Sequence, residues 1–251
     1  MSDNKQPDEQ LRLSRFLSQA GIASRRKCDE MIKLGLVSVN AGVVLEPGFK
    51  VSPEDLVKVE GRLVKPFKEK IYIMLNKPRG YLCSSSDPYA DKTIYDLIKL
   101  PGNPRIFSAG RLDLNSEGLL ILTNDGDYAE KLTHPRYCIV KKYKVRINRR
   151  LTDIELKRIR SGIRDRGEFL KPLSVKQLKG SEYLFEMNEG KKREIRRLIA
   201  STGADVVQLE RIAIGALGLS PLPRGKWKKM NKNERDLSLK RQQKARDSKR
   251  A

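Results

Sequence analysis

The sequence offers few residues for metal or disulfide chemistry. It contains three cysteines in 251 residues, Cys28, Cys83 and Cys138, and a single histidine, His134. No Cys-x-x-Cys pair is present, and an odd, scattered set of cysteines does not form a disulfide framework or a zinc site. We therefore interpret each cysteine as a small core residue and predict no metal site.

Long apolar segments and acidic residues are also scarce. No apolar run approaches the ~20 residues that span a bilayer, and residues 1–10 (MSDNKQPDEQ) lack the apolar core of a signal peptide. The sequence has 53 Lys and Arg residues against 31 Asp and Glu, which gives a net charge of +22. We therefore predict a cytoplasmic protein that binds a polyanion, with nucleic acid favoured over a membrane surface.

The first sixty residues have the pattern of a small helix–helix–hairpin module. Leu13 and Phe16 fall at the spacing of one helix face, and Ser24 is a favourable N-cap for a second helix. Residues 37–39 (VSV) alternate as a strand and lead into a turn. The pattern predicts a compact module over residues 11–60, after a disordered segment at 1–10.

The second helix of this module begins with Arg25, Arg26 and Lys27. A basic first turn is unusual because the helix dipole favours acidic residues there. Phosphate bound at the helix N-terminus would resolve the conflict. A solvated charged face remains the alternative interpretation.

A larger domain is predicted after a basic linker at residues 61–70. Strand patterns outnumber helix patterns over residues 71–230, which indicates an α+β domain built on a mixed or antiparallel sheet. Residues 152–155 (TDIE) form a capping box that opens one of the helices. Residues 231–251 are rich in Lys, Arg and Gln, and we predict a disordered basic tail.

The loop at residues 108–120 (SAGRLDLNSEGLL) places an acid beside a base between glycines. Asp113 is expected to be ionised at neutral pH, and Arg111 stands two residues before it. A carboxylate held in such a loop can act as a nucleophile. An ordinary turn aspartate with a local ion pair is the other interpretation.

Two further segments carry residues suited to RNA. Tyr143 lies between Lys142 and Lys144 on a predicted strand, where a ring can stack on a base while lysines contact phosphates. Residues 188–198 (NEGKKREIRRL) begin a basic helix whose apolar positions include Ile195. Ordinary strand packing and a solvated helix face are the respective alternatives.

Together these segments resemble the pseudouridine synthases of the RsuA/RluB branch. The signature is carried by residues 110–113 (GRLD), 116–120 (SEGLL) and 123–126 (TNDG), and residues 75–80 (LNKPRG) are similar to the family's first motif. Residues 221–225 (PLPRG) favour the RluB type. The resemblance covers about residues 11–230.

The N-terminal module resembles the S4 RNA-binding domain, a small domain of the α-L type. The similarity lies in residues 12–17 (RLSRFL), 21–26 (GIASRR) and 37–40 (VSVN). In that family the basic second helix contacts RNA. An S4 module ahead of the catalytic domain is the usual arrangement in this branch.

The resemblance assigns roles to individual residues. It implies that Asp113 is the essential aspartate, that Tyr143 stacks on the base and that Arg196 pairs with the aspartate. Ile195 would line the base pocket and Arg111 would help to hold the flipped nucleotide. The remaining predicted RNA contacts are the basic residues Arg25, Arg26, Lys27, Lys77 and Lys142.

The implied reaction converts uridine to pseudouridine in ribosomal RNA. It requires no metal, nucleotide or redox cofactor, so no cofactor is expected. The RluB-type segment favours large-subunit RNA or its assembly intermediates as partner, and we expect a monomer.

Three other functions agree with parts of the sequence. A calcium loop starting at Asp113 would need a glutamate at its twelfth position, where Asn124 stands. A glycosidase would use Glu117 as a second carboxylate, but the cationic composition suits RNA better. An inactive S4-type ribosome assembly factor would explain the charge equally well, although it would not need Asp113, Tyr143 and Arg196 together.

Overall fold

The computed structural model describes residues 10–67, 69–84, 91–102, 104–219 and 221–241. They form two compact units, one from residues up to 70 together with 100–105, and one from 71–99 together with 106 onward. Within the described ranges, no helix is long and apolar enough to cross a membrane. Residues 1–9 of the segment predicted to be disordered lie outside the described residues.

The N-terminal unit packs two helices against short strands. The helices are α1 (Leu13–Gln19) and α2 (Arg25–Lys33), and Ser24 caps α2 by accepting a hydrogen bond from the Lys27 amide. The strands are β1 (Leu11–Arg12), β2 (Val37–Val39), β3 (Gly42–Val43), β4 (Lys50–Val51), β5 (Val57–Val59) and β6 (Arg62–Leu63). Strands β3, β2, β5 and β6 form one antiparallel sheet in that order, and β1 pairs with β4.

The proposed linker at residues 61–70 is therefore partly wrong, because β6 belongs to the N-terminal sheet. It pairs with β5 through Lys58 and Leu63. A two-residue edge strand leaves no periodic pattern in the sequence.

The three cysteines do not share one environment. Cys28 is fully buried in the core of the N-terminal unit, and burial raises the pKa of its thiol. Cys83 is half-buried, and Cys138 is exposed. The prediction of a core residue is wrong for Cys138, which follows a short 3-10 turn and adopts a left-handed conformation with φ of 52°.

The C-terminal unit is built on a nine-stranded mixed sheet, as the α+β prediction required. Its strands are β7 (Tyr72–Lys77), β8 (Phe107–Ala109), β9 (Glu117–Thr123), β10 (Lys141–Ile147), β13 (Ser174–Gln177), β14 (Glu182–Met187), β15 (Val206–Ile214), β16 (Leu217–Gly218) and β17 (Trp227–Lys229). Their order is β13-β14-β10-β15-β9-β7-β17, with β16 paired to β15 and β8 paired to β9. The contact between β15 and β9 is parallel, and the other pairs of this sheet are antiparallel.

Among the described residues, four helices, a separate hairpin and two 3-10 turns complete this unit. The hairpin joins β11 (Ile163–Asp165) to β12 (Glu168–Leu170). The 3-10 turns span Ile94–Leu97 and Pro135–Tyr137. The helices are α3 (Gly126–Thr133), α4 (Asp153–Ser161), α5 (Glu194–Ala200) and α6 (Lys232–Leu239).

The sequence at the start of helix α3, residues 124–127 (NDGD), has the composition of a turn rather than of a helix. Asp125 accepts hydrogen bonds from the amides of Asp127 and Tyr128 and so acts as the N-cap. The capping box at Thr152 and Glu155 is present as predicted, and it opens α4.

The prediction of a disordered tail from residue 231 is wrong for its first part, because α6 is a folded helix. Asn231 and Glu234 form a capping box that starts it. Leu237 packs against a hydrophobic cluster of the C-terminal unit, and the Ser238 hydroxyl lies 2.7 Å from that of Tyr128. The predominantly charged composition of this segment makes its apolar residues, such as Leu237, hard to recognise as one face of a helix from sequence. Residues 242–251 lie outside the described residues.

Replacing Gly215 by alanine tests how tightly α6 docks. Gly215 has φ of +58°, and a Cβ there would stand 2.5 Å from the Ser238 carbonyl oxygen. We expect Gly215→Ala to lower the free energy of unfolding by roughly 2–5 kcal/mol, from backbone strain plus overpacking. Urea denaturation followed by the fluorescence of Trp227, the only tryptophan, measures this change.

The matched control is Gly203→Ala, because Gly203 has φ of +72° but open space where a Cβ would stand. It should cost only the backbone strain of about 1–2 kcal/mol. Equal losses in the two variants would contradict close docking of α6.

Candidate active site

One row of residues crosses the middle of the nine-stranded sheet. Lys77 on β7 pairs with Gly118 on β9, Gly118 pairs with Arg211 on β15, and Arg211 pairs with Tyr143 on β10. A Cβ at Gly118 would stand 2.4 Å from the Arg211 carbonyl oxygen, and its φ is +102°. Glycine is therefore required where β9 and β15 approach each other.

Lys77 anchors the loop that carries Asp113. Its side chain is fully buried, and its Nζ donates to the carbonyl oxygens of Ser116 at 2.8 Å and Asp113 at 3.2 Å. Pro78 and Leu114 also provide carbonyl acceptors, at 3.1 and 3.5 Å. Burial lowers the pKa of Lys77, although neighbouring Cys83 and Asp113 partly offset this.

Lys77 was predicted to bind RNA, and its burial shows that this assignment is wrong. An ammonium group has three donors, and here it is surrounded by backbone acceptors inside the protein. Its role is to hold the shape of the Asp113 loop.

Arg196 on α5 holds the same loop from the other side. Its guanidinium donates to the Asn115 carbonyl at 3.0 Å and to the Val206 carbonyl at 3.3 Å. Burial and Arg193 lower the pKa of Arg196, and the charge of Asp113 acts in the opposite direction. The charge of Asp113 thus acts on Arg196, while the hydrogen bonds of the guanidinium go to the Asn115 and Val206 carbonyls. The direct pairing of Arg196 with Asp113 that the resemblance implies stays a prediction.

Asp113 itself is half-buried, and its backbone carbonyl also accepts from the Ser116 amide at 3.0 Å. Arg111 is exposed at the start of the loop. A side chain that is partly accessible on a backbone fixed by two cations is suited to contact a bound nucleotide.

Tyr143 and Ile195 belong to one hydrophobic cluster. Tyr143 is partly buried against it, and Ile195 is a buried member. A partly exposed ring at the edge of a buried apolar cluster can stack on a base.

Lys142 does not lie on the same face of the sheet as Tyr143. Neighbouring residues on a strand point to opposite faces, and Lys142 forms an ion pair of 3.1 Å with Glu186 directly across on β14. The prediction that this lysine holds phosphate beside the stacked ring is therefore not supported by the geometry.

The basic start of α2 lies in the N-terminal unit. Arg25 and Arg26 are exposed, and Lys27 pairs with Glu30 at 2.9 Å on the same helix. The two arginines therefore remain accessible to a phosphate.

Two basic residues near Tyr143 were missed from sequence. Arg211 is only 4% exposed, donates through Nε to the Leu119 carbonyl at 2.7 Å and has a buried Nη2 with no partner among the described residues. Lys141 is half-buried, and burial, followed by the charge of Arg211, lowers its pKa to about 8. Only strand register reveals that Arg211 aligns with Tyr143.

Glu117 is a structural residue. It is 2% exposed, and its carboxylate accepts from Gln208 at 2.5 Å and from Arg224 at 3.1 Å. These contacts leave it poorly placed as the second carboxylate of a glycosidase.

The fold and the site define an RNA-modifying enzyme with a separate RNA-binding module. Residues 71–201 match the family model for RNA pseudouridylate synthase, and residues 11–57 match that of the S4 domain. The chain belongs to the RNA pseudouridylate synthase family, with the domain arrangement of its RsuA/RluB-like members, and it is an enzyme that forms pseudouridine in RNA.

Similar proteins cover nearly the whole chain. An RNA pseudouridine synthase of Aquifex aeolicus is 44% identical over 90% of this chain and 92% of its own length. The ribosomal large subunit pseudouridine synthase B of Bacillus subtilis is 36% identical over 89% of this chain and 93% of its own. A crystal structure of a pseudouridylate synthase superposes with a TM-score of 0.68 at 30% identity, covering 91% of this chain and 99% of that one.

Replacing Lys77 by methionine tests the anchoring of the loop. The change keeps the length of the side chain but removes the ammonium donors, so the loop carbonyls lose their partner. We expect kcat for pseudouridine formation to fall about 100-fold, because small misplacements of reacting groups carry penalties of that order. RNA affinity should change little, since Lys77 is buried.

Tritium release from RNA labelled at C5 of uridine measures kcat, and filter binding measures affinity. Lys157→Met, at an exposed lysine of α4, is the control. A Lys77→Met enzyme with normal kcat would show that the loop does not depend on this ammonium.

Lys141 makes a separate prediction about pH. Its folded pKa of about 8 lies below the ordinary 10.5, so the cost of burying its charge is fully present below pH 8. As pH rises from 8 towards 10.5, the folded state loses the proton first and the cost disappears. Lys141→Met should therefore be more stable than the wild type at pH 7, by roughly 1–3 kcal/mol.

This advantage should shrink by pH 10. Urea denaturation of both proteins at pH 7 and pH 10 measures the difference between their free energies of unfolding. The contributions of other titrating groups are common to both proteins and cancel in this difference. A difference independent of pH would contradict a lowered pKa for Lys141.

Proposed function

We propose that this enzyme isomerises a specific uridine of ribosomal RNA, with Asp113 as the nucleophile that acts on a flipped-out nucleotide. The observation that carries the proposal is the fixation of the Asp113 loop. Lys77 binds its carbonyls from within, and Arg196 binds the Asn115 carbonyl at 3.0 Å. This places a half-buried carboxylate on a rigid backbone close to a cation.

The reaction breaks the N1–C1′ bond of uridine and joins C5 of the same uracil to C1′. The hydrogen at C5 leaves as a proton and N1 takes up a proton, so atoms and charge balance without a redox partner. The carboxylate of Asp113 can attack C1′, attack C6, or deprotonate C2′ to give a glycal. These three routes remain open.

The neighbouring residues support a carboxylate in this role. Arg196 would hold the Asp113 loop through the Asn115 carbonyl and interact with the Asp113 carboxylate through its charge. Tyr143 would stack on the uracil, and Ile195 would close the apolar side of the pocket. Flipping the nucleotide costs a few kcal/mol, which phosphate contacts from the basic surface offset.

Ribosomal RNA of the large subunit is the proposed substrate. The Bacillus relative carries this substrate class in its name, and it matches 89% of this chain. The net charge of +22 and the exposed Arg25 and Arg26 in the N-terminal unit are consistent with a long, folded RNA.

Replacing Asp113 by asparagine tests the nucleophile. The change is close to isosteric but removes the charge, so we expect loss of detectable tritium release from C5-labelled large-subunit RNA. RNA affinity should stay within about threefold of the wild type, because phosphate contacts dominate it. Asp236→Asn, at an exposed acid of α6, is the control and should retain full activity.

Small-subunit RNA labelled in the same way provides the comparison for substrate class. Release from small-subunit RNA alone would overturn the large-subunit assignment. Full activity in Asp113→Asn would overturn the assignment of the nucleophile. Absence of release by the wild type, on naked RNA and on assembly intermediates with binding intact, would favour an RNA-binding assembly factor.

A further inference from the structure

The hairpin of β11 and β12 has two chemically different faces. Ile163 pairs with Leu170, and both are buried in the core of the catalytic unit. Arg164 pairs with Phe169 on the opposite face, and both are exposed. Residues directly opposite each other on antiparallel strands share a face, so this hairpin presents a cation beside an aromatic ring.

The ring of Phe169 is held in place although it is 47% exposed. It packs over Gly162, where a Cβ would stand 2.5 Å from the ring atom Cζ and φ is +91°. The backbone is fixed as well, because Lys191 Nζ donates to the Phe169 carbonyl at 2.7 Å. The exposed part of the ring therefore belongs to a positioned platform rather than to a loose side chain.

The charges of the hairpin are divided between its faces. Asp165 and Glu168 both form ion pairs with Arg197 of α5. Arg164 and Arg166 are exposed and have no ion-pair partner among the described residues. The outward surface is therefore cationic, and Arg166 stands at its tip with φ of 50°, an uncommon conformation for arginine.

This hairpin is attached to the helix that forms part of the active site. Arg197, which binds the two hairpin acids, follows Ile195 and Arg196 on α5. Arg196 in turn contacts the Asp113 loop. Helix α5 would therefore connect a ligand-binding surface on the hairpin to the Asp113 loop.

We propose that Arg164, Arg166 and Phe169 form an accessory subsite for single-stranded RNA. An unpaired base stacks on Phe169, while the two arginines contact the adjoining phosphates. An aromatic ring flanked by cations is the usual chemistry of single-strand recognition. The identity of this RNA as nucleotides flanking the modified uridine rests on the proposed function.

Binding of two RNA probes tests the subsite. One probe is a short fluorescein-labelled oligouridylate, and the other is a labelled RNA duplex of the same length. Phe169→Ala should weaken binding of the oligouridylate about tenfold and leave duplex binding unchanged, because paired bases are not free to stack. Phe169→Tyr should restore affinity, whereas Phe169→Leu should not, since leucine fills space without an aromatic face.

The arginine prediction has its own measurement. Arg164→Ala should reduce the slope of log affinity against log salt by about 0.7 for a single-stranded probe. The matched control is Arg158→Ala on α4, an exposed arginine outside the hairpin, which should leave the slope unchanged. Thermal denaturation of each variant checks that the hairpin remains folded.

Three results would overturn the subsite. They are wild-type affinity in Phe169→Ala, equal loss on single-stranded and duplex RNA, or wild-type affinity in Phe169→Leu. Tritium release separates this proposal from the previous one. If the wild type releases no tritium from ribosomal RNA, the proposed function fails, while the oligouridylate measurements still decide whether the subsite exists.

Discussion

The buried ammonium group of Lys77 is the interaction on which the active site depends. A buried charge is costly unless it is fully hydrogen-bonded, and here the acceptors are backbone carbonyls, including those of Asp113 and Ser116. The loop cannot move away without leaving this ammonium unsatisfied. The end of β7, the Asp113 loop and the start of β9 therefore behave as one rigid assembly.

The parallel contact between β9 and β15 is the second constraint. It joins the part of the sheet that carries Lys77 to the part that carries Tyr143, and it requires Gly118 because a Cβ would collide with the backbone of Arg211. A one-residue slip of either strand would turn the aligned side chains to the other face. The close approach of two backbones thus fixes the tyrosine relative to the aspartate loop.

Opposite charges in the catalytic unit are used mainly to hold elements together. Glu186 engages Lys142, Glu117 engages Arg224, and Arg197 engages both acids of the hairpin. The excess of cations over acids leaves arginines such as Arg164 at the surface. A polyanionic substrate would meet this excess, while several of the acids are held in internal ion pairs.

The sequence by itself determined the local features. The Ser24 cap, the capping box at Thr152 and the α+β class follow from residue types at short spacing, and the motif around Asp113 identified the family. Composition misled at residues 231–241, because the strong basic bias masked a short amphipathic stripe that is stable only when packed against Tyr128 and its neighbours.

Tertiary structure alone decided which basic residues are exposed and which are held inside the protein to support the site. Lys77 and Lys142 look equivalent in sequence to other lysines near a motif. In the structure, Lys77 is buried and hydrogen-bonds to the Asp113 loop. Strand alternation places Lys142 opposite Glu186, with which it forms an ion pair. Arg211 became visible only through register, because its row partners come from strands distant in sequence. Side-chain roles of this kind depend on long-range pairing, which local sequence patterns do not encode.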